Sequence, residues 1–261
     1  MKRLFWFSLL IACSDPPAPP APPPPVEAPP PPSSEAAPEA EASSQVCARV
    51  LVVAWQGATA APESVTRTED EARARAEDLL RRIEGGERFE AVAREASDAA
   101  SSGPRGGLLG TYERSEWPSA HEAIAPQVFA MRIGETSEVL HAPYGWVIAE
   151  RCPVELAHTR HILIRFAGAR NAPPEITRTR DEARAAIDAV RAELVGGADF
   201  EALARARSED GSSERGGDVG TRGRGRMAEA YEMAAYALAE QEISVVVETE
   251  FGFHVIQRLP L

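Results

Sequence analysis

Thr159–Ile164 reads Thr-Arg-His-Ile-Leu-Ile, and Phe251–Ile256 reads Phe-Gly-Phe-His-Val-Ile. Two earlier stretches have the same shape without the histidines. Ala48–Val53 reads Ala-Arg-Val-Leu-Val-Val, and Tyr144–Ala149 reads Tyr-Gly-Trp-Val-Ile-Ala. His161 aligns with Val50, and His254 aligns with Val147. These stretches read as the first and last strands of a fold unit that occurs twice. A repeat that keeps its apolar frame and changes its polar pair separates scaffold from chemistry within one chain.

Between the strands the two copies match most densely at Pro62–Ser97 and Pro173–Ser208. Both carry Thr-Arg-Thr-x-Asp-Glu-Ala-Arg-Ala, then Gly-Gly-x-x-Phe-Glu-Ala. The first copy is longer by four residues, all expected in loops after the first helix pair. In the second copy, Arg160–Phe166 is β-rich and apolar, which predicts a buried strand. Thr179 with Glu182 is a capping box opening a helix through Ile187, Val190 and Leu194, and Gly196-Gly197 ends it. A short helix is predicted at Phe200–Arg207, an edge strand at Asp218–Thr221 and a third helix at Glu229–Leu238. Val245–Glu248 and Phe251–Leu259 complete the unit as two strands. The order β-α-α-β-α-β-β has no βαβ rhythm, so the fold class is α+β with an antiparallel sheet.

The chain has 261 residues, enough for two modest domains plus extensions. Its formal charge of -12 argues against a nucleic-acid partner. Met1-Lys2-Arg3 and the apolar run Leu4–Ala12 precede Cys13. The run is too short to span a membrane. Leu10-Ile11-Ala12-Cys13 resembles a bacterial lipobox, which implies a signal peptide at residues 1–13 and acylation of Cys13. Ser14 does not suggest inner-membrane retention, so the periplasmic face of the outer membrane is expected. Residues 14–45 are rich in Pro, Ala, Ser and Glu. Such a segment buries no core and favours polyproline II, reaching up to about 90 Å at roughly 3.1 Å per residue.

With Cys13 lipidated, Cys47 and Cys152 remain as an even pair in an oxidising compartment. They stand at odd offsets from Val50 and Val147, so both are expected on the face opposite the valines. If their strands are neighbours, a bridge is feasible; otherwise they are two inert thiols.

The second copy resembles the parvulin family of peptidyl-prolyl isomerases along residues 157–261. The residues that carry the resemblance are His-Ile-Leu-Ile at His161–Ile164, Gly-Gly-x-x-Phe-Glu-Ala-Leu-Ala, and Ser-Glu-Asp-Gly-Ser-Ser-Glu-Arg-Gly-Gly-Asp-Val-Gly. Arg-Met-x-x-x-Tyr at Arg226–Tyr231 and Thr-Glu-Phe-Gly-Phe-His-Val-Ile at Thr249–Ile256 follow in order. The first copy, residues 46–153, resembles a degenerate domain of the same family. The resemblance implies a four-stranded sheet with its first and last strands side by side in the centre. His161 and His254 are then neighbours, with Asp210 and Thr249 joining them as polar groups of the site. Val219, Met227, Tyr231 and Phe253 are expected to form the apolar pocket for a prolyl ring. In the first copy these polar positions fall on valines, Ala142 and either Ala99 or Ala100. Met227 and Tyr231 correspond to Trp117 and His121.

What the resemblance implies is a lipid-anchored prolyl isomerase and foldase acting on proline-containing exported or unfolded polypeptides. It needs no metal or other cofactor. Arg165 and Arg170 in the first loop form no long basic run, so phosphate recognition is not expected. The alternative is a non-catalytic chaperone that uses both copies as peptide clamps.

Overall fold

The computed structural model of the protein describes residues 45–261. The Cys13 lipobox and residues 14–44 of the expected tether lie outside the described residues. The first repeat consists of β1 (Gln45–Val53), α1 (Glu69–Glu84), α2 (Phe89–Ala96), β2 (Leu108–Glu113), α3 (Ala125–Ala130), β3 (Leu140–Ala142) and β4 (Gly145–Cys152). The second consists of β5 (Leu156–Ile164), α4 (Arg180–Val195), α5 (Phe200–Arg207), β6 (Asp218–Gly223), α6 (Glu229–Ala237), β7 (Val247–Thr249) and β8 (Gly252–Leu259).

Each repeat is a four-stranded antiparallel sheet, in the orders β2-β1-β4-β3 and β6-β5-β8-β7. The first and last strands of each unit are therefore the central pair. Strand β5 starts at Leu156, four residues before the predicted Arg160. Its alternating burial begins there, so only Pro153–Glu155 joins the two repeats.

Local signals explain the helices. Thr68 and Thr179 each cap a helix through a complete capping box, with Glu71 and Glu182 reaching back to the cap backbone. Helix α4 buries Ala183, Ile187, Val190 and Leu194 at helical spacing. They pack on Ile162, Ile164, Phe253 and Val255, which share one face of the second sheet. The other face, carrying Ile256 and Val247, is covered by Tyr231 and Ala235 of α6.

The four extra residues of the first copy are not all in loops. Ser102 and Ser212 accept the N–H of Gly107 and Gly217 in the same way, which leaves one extra residue between Asp98 and Ser102. The other three lie within the third helical segment. Where the second repeat has α6, the first has a 3-10 helix at Ser119–Ile124 followed by α3. Pro126 explains the break. It has no N–H to donate and its ring clashes with the preceding turn, so it is tolerated only at the start of a new helix.

Strand β1 aligns Cys47 directly opposite Cys152 of β4, and their sulfurs are bonded at 2.07 Å. Both cysteines are buried, beside Leu108.

Candidate functional site

The site begins with register. In the β5–β8 pair His161 stands opposite Ile256, and His254 opposite Leu163. The two histidines are thus diagonal neighbours on one face, near enough for side-chain contact. Their rings stack with centroids 5.2 Å apart and planes inclined by 17°. Their Nδ1 atoms are 3.0 Å apart. Tyr231 of α6 sets the edge of its ring against both, at 5.5 Å from each.

A line of hydrogen bonds runs through the pair. His161 Nε2 meets Asp210 Oδ2 at 2.9 Å, and His254 Nε2 meets Thr249 Oγ1 at 2.8 Å. The Phe251 N–H donates to Thr249 Oγ1 at 3.1 Å. The other carboxylate oxygen of Asp210 accepts the Ser212 N–H at 3.1 Å and the Ser212 hydroxyl at 2.7 Å. Burial by itself raises the Asp210 pKa. The hydrogen bond and charge of His161, with the two Ser212 donors, outweigh it and hold the carboxyl well below its usual range. Burial first, and then the neighbouring His161, push His254 down to about 3. Burial likewise raises the Tyr231 phenol, so its O–H stays protonated and meets Thr159 Oγ1 at 3.1 Å.

Proton directions follow from what each group can do. An ionised Asp210 only accepts, so His161 carries a proton on Nε2. When His161 is neutral, its Nδ1 accepts from His254 Nδ1–H. His254 Nε2 then accepts the Thr249 hydroxyl proton. Every buried nitrogen of the pair is satisfied without a second charge.

These groups open onto a pocket of about 510 Å³ lined by His161, Asp210, Val219, Met227, Tyr231 and His254, with Phe251 and Arg222 at its walls. Phe253 is not among them. It is adjacent to His254 in β8, so alternation turns it to the opposite face. There it is 1% exposed, 5.8 Å from the Phe166 ring, beneath the guanidinium groups of Arg180 and Arg184. Phe251, in the turn between β7 and β8, supplies the aromatic wall expected of Phe253. The sequence reading also missed Ser212 as the anchor of Asp210. Its signal was the short polar spacing from Asp210, typical of a carboxylate accepting from the backbone two residues on. Arg165 is held within the protein by the Glu209 and Arg170 carbonyls.

In the first repeat the same place is apolar core. Ala99 is the residue equivalent to Asp210, since Ser97 and Asp98 repeat the backbone contacts of Ser208 and Glu209. Val50, Val147, Ala142 and Ala99 pack with Trp117 in one cluster. Trp117 meets Tyr112 and Phe129 edge-on at 5.8 and 5.3 Å. Ile124, Ala125 and Val128 repeat the burial of Tyr231, Glu232 and Ala235, so the three extra residues put Ile124, and not the expected His121, in the place of Tyr231. His121 bonds Tyr144 at 2.8 Å, and burial lowers its pKa.

Both tandem units match family models of one description. Residues 147–259 match a family model described as a PPIC-type PPIase domain, and residues 58–151 match a second model of the same description. The chain belongs to the parvulin-type peptidyl-prolyl isomerase family. Among relatives of this parvulin, a chaperone SurA from Methylobacillus flagellatus is 35% identical over 209 residues, covering 76% of this chain and 45% of that one. A chaperone SurA from Dechloromonas aromatica is 32% identical with the same coverage. The chain spans about half the length of the curated relatives it matches. Among solved structures, the peptidyl-prolyl isomerase ESS1 from Candida albicans is 32% identical, covering 40% of this chain and 63% of that one, with a TM-score of 0.38.

Proposed function

We propose that the second repeat of this parvulin is a peptidyl-prolyl isomerase and that the first has no isomerase activity. The observation that carries the reading is the contrast at one place in the fold. The second repeat has a pocket lined by His254, His161 and Asp210, with Thr249 bonded behind His254, and the first has Ala142, Val147, Val50 and Ala99 packed with Trp117.

An amide rotates over a barrier of about 18–20 kcal/mol, so an X-Pro bond isomerises slowly enough to limit folding. No covalent bond breaks. In the twisted state the amide loses resonance, and its carbonyl and nitrogen change as hydrogen-bonding groups. A pocket that grips the ring and offers pre-oriented polar groups binds that state better than either planar form. Met227, Val219 and Phe251 are the grip, and Tyr231 and the histidine pair are its floor. Asp210 and Thr249 hold the histidines in one arrangement, so no reorganisation is needed when the amide twists. Each tenfold in rate requires about 1.4 kcal/mol of such preference.

The clients on this reading are proline-containing polypeptides undergoing export or folding. The protein is held at the cell envelope by an acylated Cys13 on a proline-rich tether, at the periplasmic face of the outer membrane. The curated relatives named as chaperones support a role in folding.

Proline-limited refolding of a test protein by the full chain checks the reading. Acceleration is expected, and it should vanish in the Met227→Ala, Asp210→Ala double variant. Suppression of aggregation without any rate effect supports the chaperone reading instead. Residual acceleration in the double variant overturns the assignment of the first repeat. Mass spectrometry of the membrane fraction tests acylation of Cys13.

A further inference from the structure

One wall of the pocket is Arg222, Met227 and Ala228. Arg222 is near the end of β6, and Met227 and Ala228 belong to the short segment between β6 and α6, which the first repeat grips from outside. Thr111 of β2 donates its N–H to the Arg224 carbonyl at 2.9 Å. A Cβ at Gly223 would lie 2.3 Å from Thr111 Cβ, and one at Gly225, with φ +80°, would lie 2.5 Å from Gly110 Cα. Neither position admits a side chain: Gly223 packs directly on the Thr111 side chain, and Gly225 on the Gly110 backbone. Arg226 lays its guanidinium 4.6 Å over the Tyr112 ring and pairs with Glu116 at 3.1 Å. Tyr112 in turn rests against Trp117, the residue that fills the lost site of the first repeat.

From the inner side the segment is tied to α6. Glu232, buried and next to Tyr231, accepts the Gly225 N–H at 2.6 Å. Arg224 stacks 4.0 Å over Tyr236 and pairs with Glu155 in the connector between repeats. The contact between the repeats thus falls on residues 223–226, immediately before Met227.

We propose that the first repeat is a built-in brace for the isomerase pocket, with Tyr112 and Glu116 as positioning residues that act through Arg226 on Met227. This rests on the reading of the second repeat as an isomerase. Conversion of the first site into an aromatic cluster then has a consequence. It gives Tyr112 a rigid backing, and Tyr112 gives the pocket wall a fixed seat.

The test uses the full chain with methyl-labelled methionine. Glu116→Arg places a second cation against Arg226 at an exposed site, with no contact to the pocket. The Met227 methyl resonance is expected to move, and KM for a proline-containing tetrapeptide to rise about threefold, the scale of an ion pair of this exposure. The kcat should change less than twofold. The charge swap Glu116→Arg, Arg226→Glu should return both readouts towards the parent. An unmoved Met227 resonance in Glu116→Arg overturns the brace, as does an unchanged KM in an active protein. A parent chain inactive on every peptide overturns the isomerase reading alone, and the methyl resonance then still decides the brace.

Discussion

The δ nitrogens of His161 and His254 lie 3.0 Å apart, so one of them must donate and the other accept. Two imidazolium rings at that distance would face N–H to N–H. Burial, and then the neighbouring His161, oppose protonation of His254, whose pKa is pushed to about 3. The sign of the linkage follows. As pH falls below about 6.5, the unfolded chain takes up a proton at this residue that the folded chain refuses until about pH 3. Stability is expected to fall on acidification in that window, by at most about 1.4 kcal/mol per pH unit from this group. Urea unfolding of the parent and of His254→Val between pH 4 and pH 6.5 checks it. The variant should show the shallower pH dependence, whatever its absolute stability.

Asp210 is the acceptor for His161 Nε2–H and two Ser212 donors. Asp210→Ala leaves a buried imidazole N–H without its partner, which costs about 1–3 kcal/mol. The expected outcome is a loss of stability of that size and a fall in kcat/KM of about tenfold or more. Asp210→Asn, which keeps a carbonyl acceptor, should recover most of the stability. Peptide isomerisation rates and chemical denaturation separate the two effects.

Phe251 and Phe253 differ in face, not in type. Phe253→Ala empties a site in the core beneath α4 and is expected to cost about 3–5 kcal/mol. At conditions where the variant is folded, its KM should be unchanged. Phe251→Ala removes a pocket wall and should raise KM several-fold with little loss of stability. Reversal of this pattern would return Phe253 to the pocket.

The Cys47–Cys152 bridge closes a loop spanning a sequence separation of 105, nearly the whole first repeat. In the chain-entropy model a loop of that size contributes about 4–5 kcal/mol. Calorimetry with and without reductant is expected to show the first repeat melting earlier when reduced. By the brace argued above, the Met227 resonance should shift in the same samples.

Much of this protein was legible in its residues. The capping box at Thr179 and the Gly196-Gly197 stop are local signals, and they bound a helix where it was expected. The α+β class and the two tandem parvulin units followed from element order and motif spacing. Side-chain parity placed the two cysteines on a common face and, had it been applied to Phe253, would have removed that residue from the pocket. Three of the extra residues of the first copy, expected in loops, fall instead in a helical segment that Pro126 breaks.

The sequence alone determined which repeat keeps His161, Asp210, Thr249 and His254 and which has lost their equivalents, because substitution is visible wherever a repeat supplies its own comparison. Only the tertiary structure decided that Ala99, not Ala100, stands in for Asp210, that Ser212 anchors the carboxylate, and that Glu116 faces Arg226. Those facts depend on backbone paths through loops and on contact between residues far apart in the chain. Local propensity and period carry no record of such contacts, since they arise only when both partners have been brought to the same place.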